Sequence, residues 1–233
     1  MRSIWRTLDR DLARDIGLVC VADGVVGVSF GAIAVSSGFP LWLPMLLSLV
    51  VFAGAAQFMF IGIVASGGNP VAAVLAGLLV NTRHVPFGFA VGDVLGGGWA
   101  RRIAGSHLMI DETVAFALAQ RDTERRRAAY WACGVGLFLS WNVGVVLGAF
   151  GGTAVSDTAV LGLDAAFPAV LLALLLPSLR EPATRRAALV GVAIALVTAP
   201  FLPAGLPVLL ALAGVLAGLG SGGRTKRTEV AGR

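Results

Sequence analysis

The stretch Val51-Phe52-Ala53-Gly54-Ala55-Ala56-Gln57-Phe58 places small residues and one amide inside an apolar run that extends over residues 41–66. The next apolar run, residues 71–95, contains Asn81-Thr82-Arg83-His84-Val85-Pro86 at its centre. Runs of this length predict helices that cross a bilayer, and polar side chains at that depth need a partner or a function. Because proline removes a hydrogen-bond donor and disfavours helix at the residue before it, we expect the second helix to break into two halves at a polar joint.

The same apolar character extends over most of the chain. Hydrophobic residues make up 57% of the 233 residues and charged residues only 13%, and the mean hydropathy is +0.87. These values lie outside the range of soluble domains. Further apolar runs cover residues 16–35, 129–150, 160–179, 187–202 and 205–219. We predict an all-α polytopic membrane protein with about seven transmembrane segments, roughly six to eight, of which at least one is broken or re-entrant.

Basic residues are concentrated in the short segments between the apolar runs and in the tails. Cytoplasmic segments of membrane proteins are enriched in arginine and lysine, so we expect a multi-pass protein with both termini in the cytoplasm. In this setting a sequence pI of about 10.5 indicates contact with membrane lipids and not with nucleic acid. Whether residues 103–120 span the membrane or re-enter it is left open. The basic residues that support this topology are Arg121, Arg125, Arg126, Arg127, Arg180, Arg185, Arg186, Arg224, Lys226 and Arg227.

Three segments follow from this pattern. We expect residues 1–15 to form a cytoplasmic amphipathic segment, residues 16–220 a single transmembrane domain, and residues 221–233 a basic cytoplasmic tail. In the first segment, arginines at i,i+4 spacing would share one face of an interfacial helix; the alternative is a solvated charged tail. These arginines are Arg2, Arg6, Arg10 and Arg14.

Two motifs in the first span admit a structural and a chemical interpretation. Gly24, Gly27 and Gly31 form a ridge that would let another helix backbone approach closely. The stretch from Gly27 to Gly31 also fits a nucleophile elbow around Ser29, but that motif needs a strand-to-helix turn and a histidine base. We therefore expect no enzyme activity and keep an intramembrane serine hydrolase, with His84 or His107 as its base, only as an alternative.

Neither a metal site nor a cofactor is expected. The chain has two histidines and two cysteines, and Cys20 and Cys133 lie in separate apolar runs, where we interpret them as small buried side chains.

Four side chains are candidates for proton coupling: His107, Asp111, Glu112 and Asp23. His107 and Asp111 are four residues apart and would share one face of a helix, as a proton relay requires. The alternative is that Asp111 and Glu112 lie in the first turn of a helix that begins near the interface. Asp23 could instead form a structural ion pair with Arg83.

Seven residues are candidates for substrate binding: Gly54, Ala55, Ala56, Gln57, Asn81, Arg83 and His84. A small zwitterion brings one carboxylate and one ammonium group, and transporters bind such groups at broken helices near the membrane midplane. Arg83 would hold the carboxylate, the amides would donate neutral hydrogen bonds, and Gly54-Ala55-Ala56 would leave room for an aliphatic group. The alternative for the first stretch is a small-residue packing seam with one satisfied glutamine.

Several motifs together resemble the large subunit of AzlC-type branched-chain amino-acid exporters. They are Gly27 to Gly31, Ser48 to Gln57, Asn81-Thr-Arg-His84, Ile110-Asp-Glu-Thr113 and Gly162-Leu-Asp-Ala-Ala-Phe-Pro168 with Leu174 to Pro177. The resemblance implies a permease of the bacterial inner membrane that exports L-leucine, L-isoleucine, L-valine or similar amino acids and works with a small hydrophobic AzlD-type membrane subunit. We expect it to be a secondary transporter coupled to a proton gradient. Ile110 replaces the threonine that this family usually has before Asp-Glu, which bears on substrate identity more than on fold. The remaining alternative is a non-transporting membrane scaffold or receptor subunit.

Overall fold

The computed structural model of the chain describes residues 8–153, 172, 176, 178–202 and 206–219. All regular elements in those residues are helical, which confirms the all-α prediction. Arg2, Arg6, the tail 221–233 and most of the predicted span 160–179 lie outside the described residues. The α-helices are α1 (Arg10–Ser36), α2 (Trp42–Val50), α3 (Gly54–Ala65), α4 (Pro70–Asn81), α5 (His84–Val91), α6 (Trp99–His107), α7 (Asp111–Leu118), α8 (Thr123–Thr153), α9 (Pro182–Thr198), α10 (Leu206–Ala211) and α11 (Gly214–Leu219), with a short 3₁₀ helix at Ser178–Arg180.

The chain forms two compact units. The first contains residues 1–57 and 80–163, and the second contains residues 58–79 and 164–233. Among the described residues, three segments are long and apolar enough to cross a membrane: Arg10–Ser36, Pro70–Val91 and Thr123–Thr153. Shorter apolar helices accompany them, so the total of about seven spans stays a prediction.

Helices α1 and α8 form the centre of the first unit, and small residues hold them together. A Cβ atom added at Gly27 would lie 2.8 Å from the carbonyl oxygen of Trp141, and one at Gly152 would lie 2.9 Å from the carbonyl oxygen of Ala32. At Gly31 and Gly148 an added Cβ would overlap the backbone of the other helix. The predicted glycine ridge is therefore confirmed, and its partner is a second set of glycines on α8.

The two central helices run parallel. Residues later in α1 contact residues later in α8: Gly24 lies against Ser140, and Gly31 lies against Val145. At their first turns an ion pair joins Asp9 to Arg125. Asp9 also caps α1, because its Oδ1 accepts the N–H of Leu12 at 2.9 Å. The Leu12 N–H and the Arg125 guanidinium hold the pKa of the Asp9 carboxyl below its usual value.

A second polar contact and two aromatic side chains attach the middle of the chain to α8. Arg126 pairs with Asp93 at 3.2 Å and donates to the carbonyl oxygen of Ala90 at 3.1 Å. The Tyr130 hydroxyl donates to the carbonyl oxygen of Gly105 at 2.8 Å, and the Trp131 indole donates to that of Val94 at 3.3 Å. These bonds anchor α6 and the end of α5 on α8, above a core of Val91, Val94, Leu95, Met109, Val114, Ala117 and Tyr130.

Both polar stretches lie at breaks in helices. The break predicted at residues 81–86 is confirmed, because Thr82 and Arg83 form a turn between α4 and α5. Pro86 lies in the first turn of α5, where its missing N–H has no intrahelical acceptor to lose. The prediction of one continuous helix over 41–66 was wrong, since Phe52 adopts a φ of 42° and separates α2 from α3.

In the second unit, residues 58–65 of α3 and residues 70–79 of α4 pack with α10. The buried residues Ile63, Ala73 and Ala76 form the centre of a cluster that also includes Leu209 of α10. Gly191 of α9 and Gly214 of α11 lie in close backbone contact, so this unit also uses small residues to bring helices together.

Candidate functional site

Arg83 lies at the turn between α4 and α5 and forms an ion pair with Asp111, the first residue of α7. The two side chains are 34% and 44% exposed, so other groups can reach both charges. The alternative pairing of Arg83 with Asp23 was wrong: Asp23 Oδ2 is buried and has no hydrogen-bond partner among the described residues. Arg83 is nearer to the start of α7 because the turn at 82–83 projects it there.

The residues on either side of Arg83 contribute further polar groups. His84 Nδ1 lies 2.9 Å from the carbonyl oxygen of Asn81, and since a carbonyl only accepts, Nδ1 carries the proton in that bond. This leaves Nε2 as an acceptor in the neutral ring. The Asn81 Oδ1 is buried without a partner in the described part of the chain. The turn therefore presents a cation, an imidazole nitrogen and an amide within four residues.

A cleft of about 390 Å³ lies beside this turn, between α5 and the end of α6. Its volume falls within the roughly 300–1,000 Å³ typical of small-molecule sites. His84 provides a polar edge and apolar side chains provide most of the remaining wall. The lining residues are His84, Val85, Gly88, Phe89, Ser106 and Met109.

The proposed one-face geometry of His107 and Asp111 was wrong. His107 ends α6 and Asp111 begins α7, and residues 108–110 between them are not helical, so the i,i+4 relation does not exist. The His107 ring instead packs against two aromatic rings, with centroids 6.0 Å from Phe52 and 5.7 Å from Phe138.

The first turn of α7 matches the alternative for the two acidic residues. Asp111 and Glu112 are the first two residues of this helix, where the helix dipole favours carboxylates. Thr113 fixes that turn: its Oγ1 accepts the N–H of Ile110 at 2.9 Å and donates to the Ile110 carbonyl oxygen at 2.8 Å.

Carboxyl groups outnumber cations in this part of the first unit. Glu112 interacts electrostatically with both members of the Arg83–Asp111 pair, and also with Asp23 on α1. Arg83 thus interacts with two carboxyl groups, those of Asp111 and Glu112, and Glu112 also interacts with a third, that of Asp23. Because unpaired carboxylates are costly within a membrane, this surplus needs a proton or a second cation.

The break between α2 and α3 is built of small and aromatic residues. A Cβ at Gly54 would lie 3.2 Å from the Trp141 ring, and the rings of Phe52 and Phe138 meet edge to face at 5.1 Å. Gln57, one turn into α3, is fully buried, and neither its Nε2 nor its Oε1 has a partner among the described residues. The packing-seam alternative predicted a satisfied glutamine, and no partner for the Gln57 amide lies among the described residues.

The structure joins some of the predicted site residues and separates others. Asn81, Arg83, His84, Asp111 and Glu112 lie around one turn, whereas Gly54 to Gln57 form a second polar point at the start of α3. Sequence reasoning missed the aromatic wall of Phe52, Phe138 and Trp141, because aromatic residues in an apolar run carry no signal that separates a wall from a core. Ser29 lies within α1 and donates to the Val25 carbonyl oxygen at 3.2 Å, which is not a nucleophile elbow.

Comparison with known proteins identifies relatives over most of the chain. The model of the AzlC protein family matches residues 19–155. The branched-chain amino acid transport protein AzlC of Bacillus subtilis is 24% identical over 196 residues, which cover 82% of this chain and 77% of the relative. The inner membrane protein YgaZ of Escherichia coli is 30% identical over 165 residues, 66% of this chain and 62% of the relative. An uncharacterized membrane protein of Archaeoglobus fulgidus is 29% identical over 177 residues, 73% and 75% of the two chains.

No solved structure matches the chain. The family match covers more than half of the sequence and includes both broken helices, the Arg83–Asp111 pair and the glycine-rich contact of α1 with α8. With its long apolar helices and its membrane-protein relatives, the chain is a multi-pass membrane protein of the AzlC family.

Proposed function

We propose that this protein is a secondary transporter that exports branched-chain amino acids, L-leucine, L-isoleucine and L-valine, across the inner membrane, with residues 16–220 acting as one permease domain. Two findings support the substrate class. The Bacillus subtilis relative is a branched-chain amino acid transport protein. The cleft beside the turn that carries Arg83 has mostly apolar walls.

The observation that carries the proposal is the ion pair of Arg83 with Asp111 at a helix break. An amino acid has the same two charges. Its carboxylate can replace Asp111 at the guanidinium, and its ammonium group can replace Arg83 at the carboxylate. The exchange leaves no charge unpaired, and it is possible because both side chains are more than one-third exposed.

The apolar wall then selects the side chain. With the two charged groups of the substrate at Arg83 and Asp111, an aliphatic side chain would lie toward Val85, Phe89 and Met109. Burial of apolar surface stabilises that placement. A polar or charged side chain would be desolvated there without a partner, so the cleft favours leucine, isoleucine and valine over serine or aspartate.

The carboxyl groups supply a basis for coupling to protons. When substrate leaves and Arg83 pairs again with Asp111, the repulsion between Asp23 and Glu112 persists. A proton bound by either carboxyl relieves it. We assign coupling to this pair and no longer to His107, because the His107 ring is packed among aromatic rings.

The basic segments support an orientation for this transporter, and the resemblance to AzlC-type exporters supports a partner. Both termini lie in the cytoplasm in this proposal, as the basic segments indicate. A small hydrophobic AzlD-type membrane subunit completes the transporter.

The test of the site is efflux of radiolabelled leucine from loaded cells that express the chain with its small subunit. We expect Arg83→Ala to lower the initial rate at least about tenfold, since the variant loses a charged hydrogen bond to substrate. The matched control is Arg102→Ala, an exposed arginine of α6 outside the cleft, which should export at the parental rate. Parental efflux by an Arg83→Ala chain present at normal amount would remove this residue from the mechanism.

Coupling is tested separately with imposed pH gradients. Asp23→Asn and Glu112→Gln remove one titratable group each while keeping the side-chain size. We expect either variant to bind leucine but to lose most of the acceleration that a pH gradient gives the parent. If both variants respond to the gradient as the parent does, protons do not couple through this pair.

A further inference from the structure

Three polar side chains among the described residues are fully buried: Ser48, Gln57 and Thr113. Ser48 donates to Asn142 Oδ1 at 2.7 Å, and Thr113 bonds to Ile110. Only Gln57 of the three has no hydrogen-bond partner in the part of the chain that the structure describes. Because an unpaired buried amide costs free energy, its presence points to a group that pairs with it during function.

Gln57 is the fourth residue of α3 and lies close to the N-terminus of that helix. Its backbone N–H bonds to the carbonyl oxygen of Ala53 at 3.0 Å, so it stands one turn from the helix start. Long side chains in α-helices lean back toward the N-terminus, which brings the Gln57 amide over the first turn. There the N–H groups of the first residues have no acceptor within the helix. Ala53, the residue before the helix, has no side-chain oxygen that could cap them.

The backbone before α3 is held in an unusual conformation. Phe52 has a φ of 42°, a region that bulky residues rarely adopt, and its ring is fixed between Phe138 and His107. Such strain persists where the surrounding structure imposes it, and it is concentrated at binding sites. Here Phe52 separates α2 from α3, so the first N–H groups of α3 do not continue the hydrogen bonding of the preceding helix.

From these features we infer that the first turn of α3, with the Gln57 amide, is a second binding station for the carboxylate of the transported amino acid. The N–H groups of Gly54 and Ala55 and the positive end of the helix dipole would bind one carboxylate oxygen, and Gln57 Nε2 would donate to the other. Trp141 against Gly54 forms an apolar wall for the aliphatic group.

The position of this station fits a second step on the transport path. Ser106 lines the cleft beside Arg83, and the next residue, His107, packs on Phe52. The end of α6 thus lies between the two stations. A carboxylate that leaves Arg83, as Asp111 returns to it, would find neutral donors at α3.

The experiment measures KM for leucine uptake into inside-out vesicles and the melting temperature of the same purified chains. Gln57→Met keeps the side-chain length and removes the amide. We expect KM to rise at least about tenfold while the melting temperature stays equal or increases, because the variant loses an unpaired buried amide. Ser48→Ala is the matched control: it breaks a satisfied buried bond and should lower the melting temperature without changing KM.

Leucinamide, which lacks the carboxylate, identifies the group that is bound. The parent should be inhibited far more by unlabelled leucine than by leucinamide. Gln57→Met should show a smaller preference for leucine and keep only the part that Arg83 supplies. The second variant, Gln57→Asn, has a side chain shorter by one methylene group, so its amide should not reach the carboxylate and its KM should also rise. It serves as the test if Gln57→Met does not fold. A parental KM in whichever variant folds would overturn the inference.

The inference rests on the proposed function, and the two can fail separately. If the parent transports none of the three branched-chain amino acids, both fail. If Arg83→Ala abolishes transport while Gln57→Met keeps the parental KM and the parental preference for leucine, only the second station is wrong.

Discussion

At the scale of single residues, the Arg83–Asp111 pair should matter for transport far more than for stability. Partly exposed ion pairs contribute about 0–1 kcal/mol, so Arg83→Ala and Asp111→Asn should each shift the melting temperature by no more than about 4 °C. The double variant Arg83→Asp, Asp111→Arg restores a pair with reversed polarity. We expect it to melt like the parent and to export leucine at least about tenfold more slowly, since a bound amino acid would have to turn its side chain away from the apolar wall.

The measurement is thermal unfolding in detergent beside efflux in cells. A large fall in melting temperature in both single variants, reversed by the double variant, would instead make the pair structural. Parental export by the double variant would contradict the assigned substrate orientation.

How far the residues of the site could be predicted depended on their chemistry. Arg83, Asn81 and Gln57 could be identified because a polar group within an apolar run is visible in the sequence. The His107–Asp111 relay could not be assessed, because Leu108, Met109 and Ile110 are compatible with a helix and only packing ends α6 there. Phe52 gave no signal either, since no sequence rule expects phenylalanine at positive φ.

At the scale of elements, the contact between α1 and α8 depends on glycines at defined positions. A Cβ at Gly148 would overlap the backbone of Val28, which cannot move as a side chain can. We expect Gly148→Ala to destabilise the protein by about 1–3 kcal/mol, the range for overpacked sites. Gly151→Ala, three residues further along α8, has nothing within 4 Å and should be neutral or stabilising by about 0.5–1 kcal/mol, as alanine suits a helix better than glycine.

Melting temperatures of the two purified variants decide between these expectations, and equal values would contradict the close contact. The ridge on α1 could be predicted from its spacing, as could the break at Thr82 and Arg83 from Pro86. The partner of the ridge could not, because several apolar runs in the chain contain glycines, and which helices meet depends on tertiary packing.

At the scale of the whole molecule, the parallel arrangement of α1 and α8 constrains the topology. The Asp9–Arg125 pair brings the first turns of both helices to the same side, and each helix is longer than the roughly 30 Å hydrocarbon core: at 1.5 Å per residue, 27 and 31 residues extend about 40 and 46 Å. Residue 37 must then lie on the opposite side from residue 121, so the chain between them crosses an odd number of times. In the proposed topology, the basic residues that begin α8 lie in the cytoplasm.

Cysteine labelling tests this arrangement in a chain that carries Cys20→Ala and Cys133→Ala, so that no native thiol reacts. We expect Ser37→Cys to react with a membrane-impermeant maleimide in intact cells. Arg121→Cys and Ser221→Cys should react only in inside-out vesicles, because both positions are cytoplasmic in the proposed topology. Reaction of Ser37→Cys and Arg121→Cys from the same side would contradict the parallel helix pair itself. If Ser37→Cys reacted only in inside-out vesicles and Arg121→Cys reacted in intact cells, the parallel helix pair would stand but the orientation in the membrane would be inverted. The amino acid would then reach Arg83 from the opposite side.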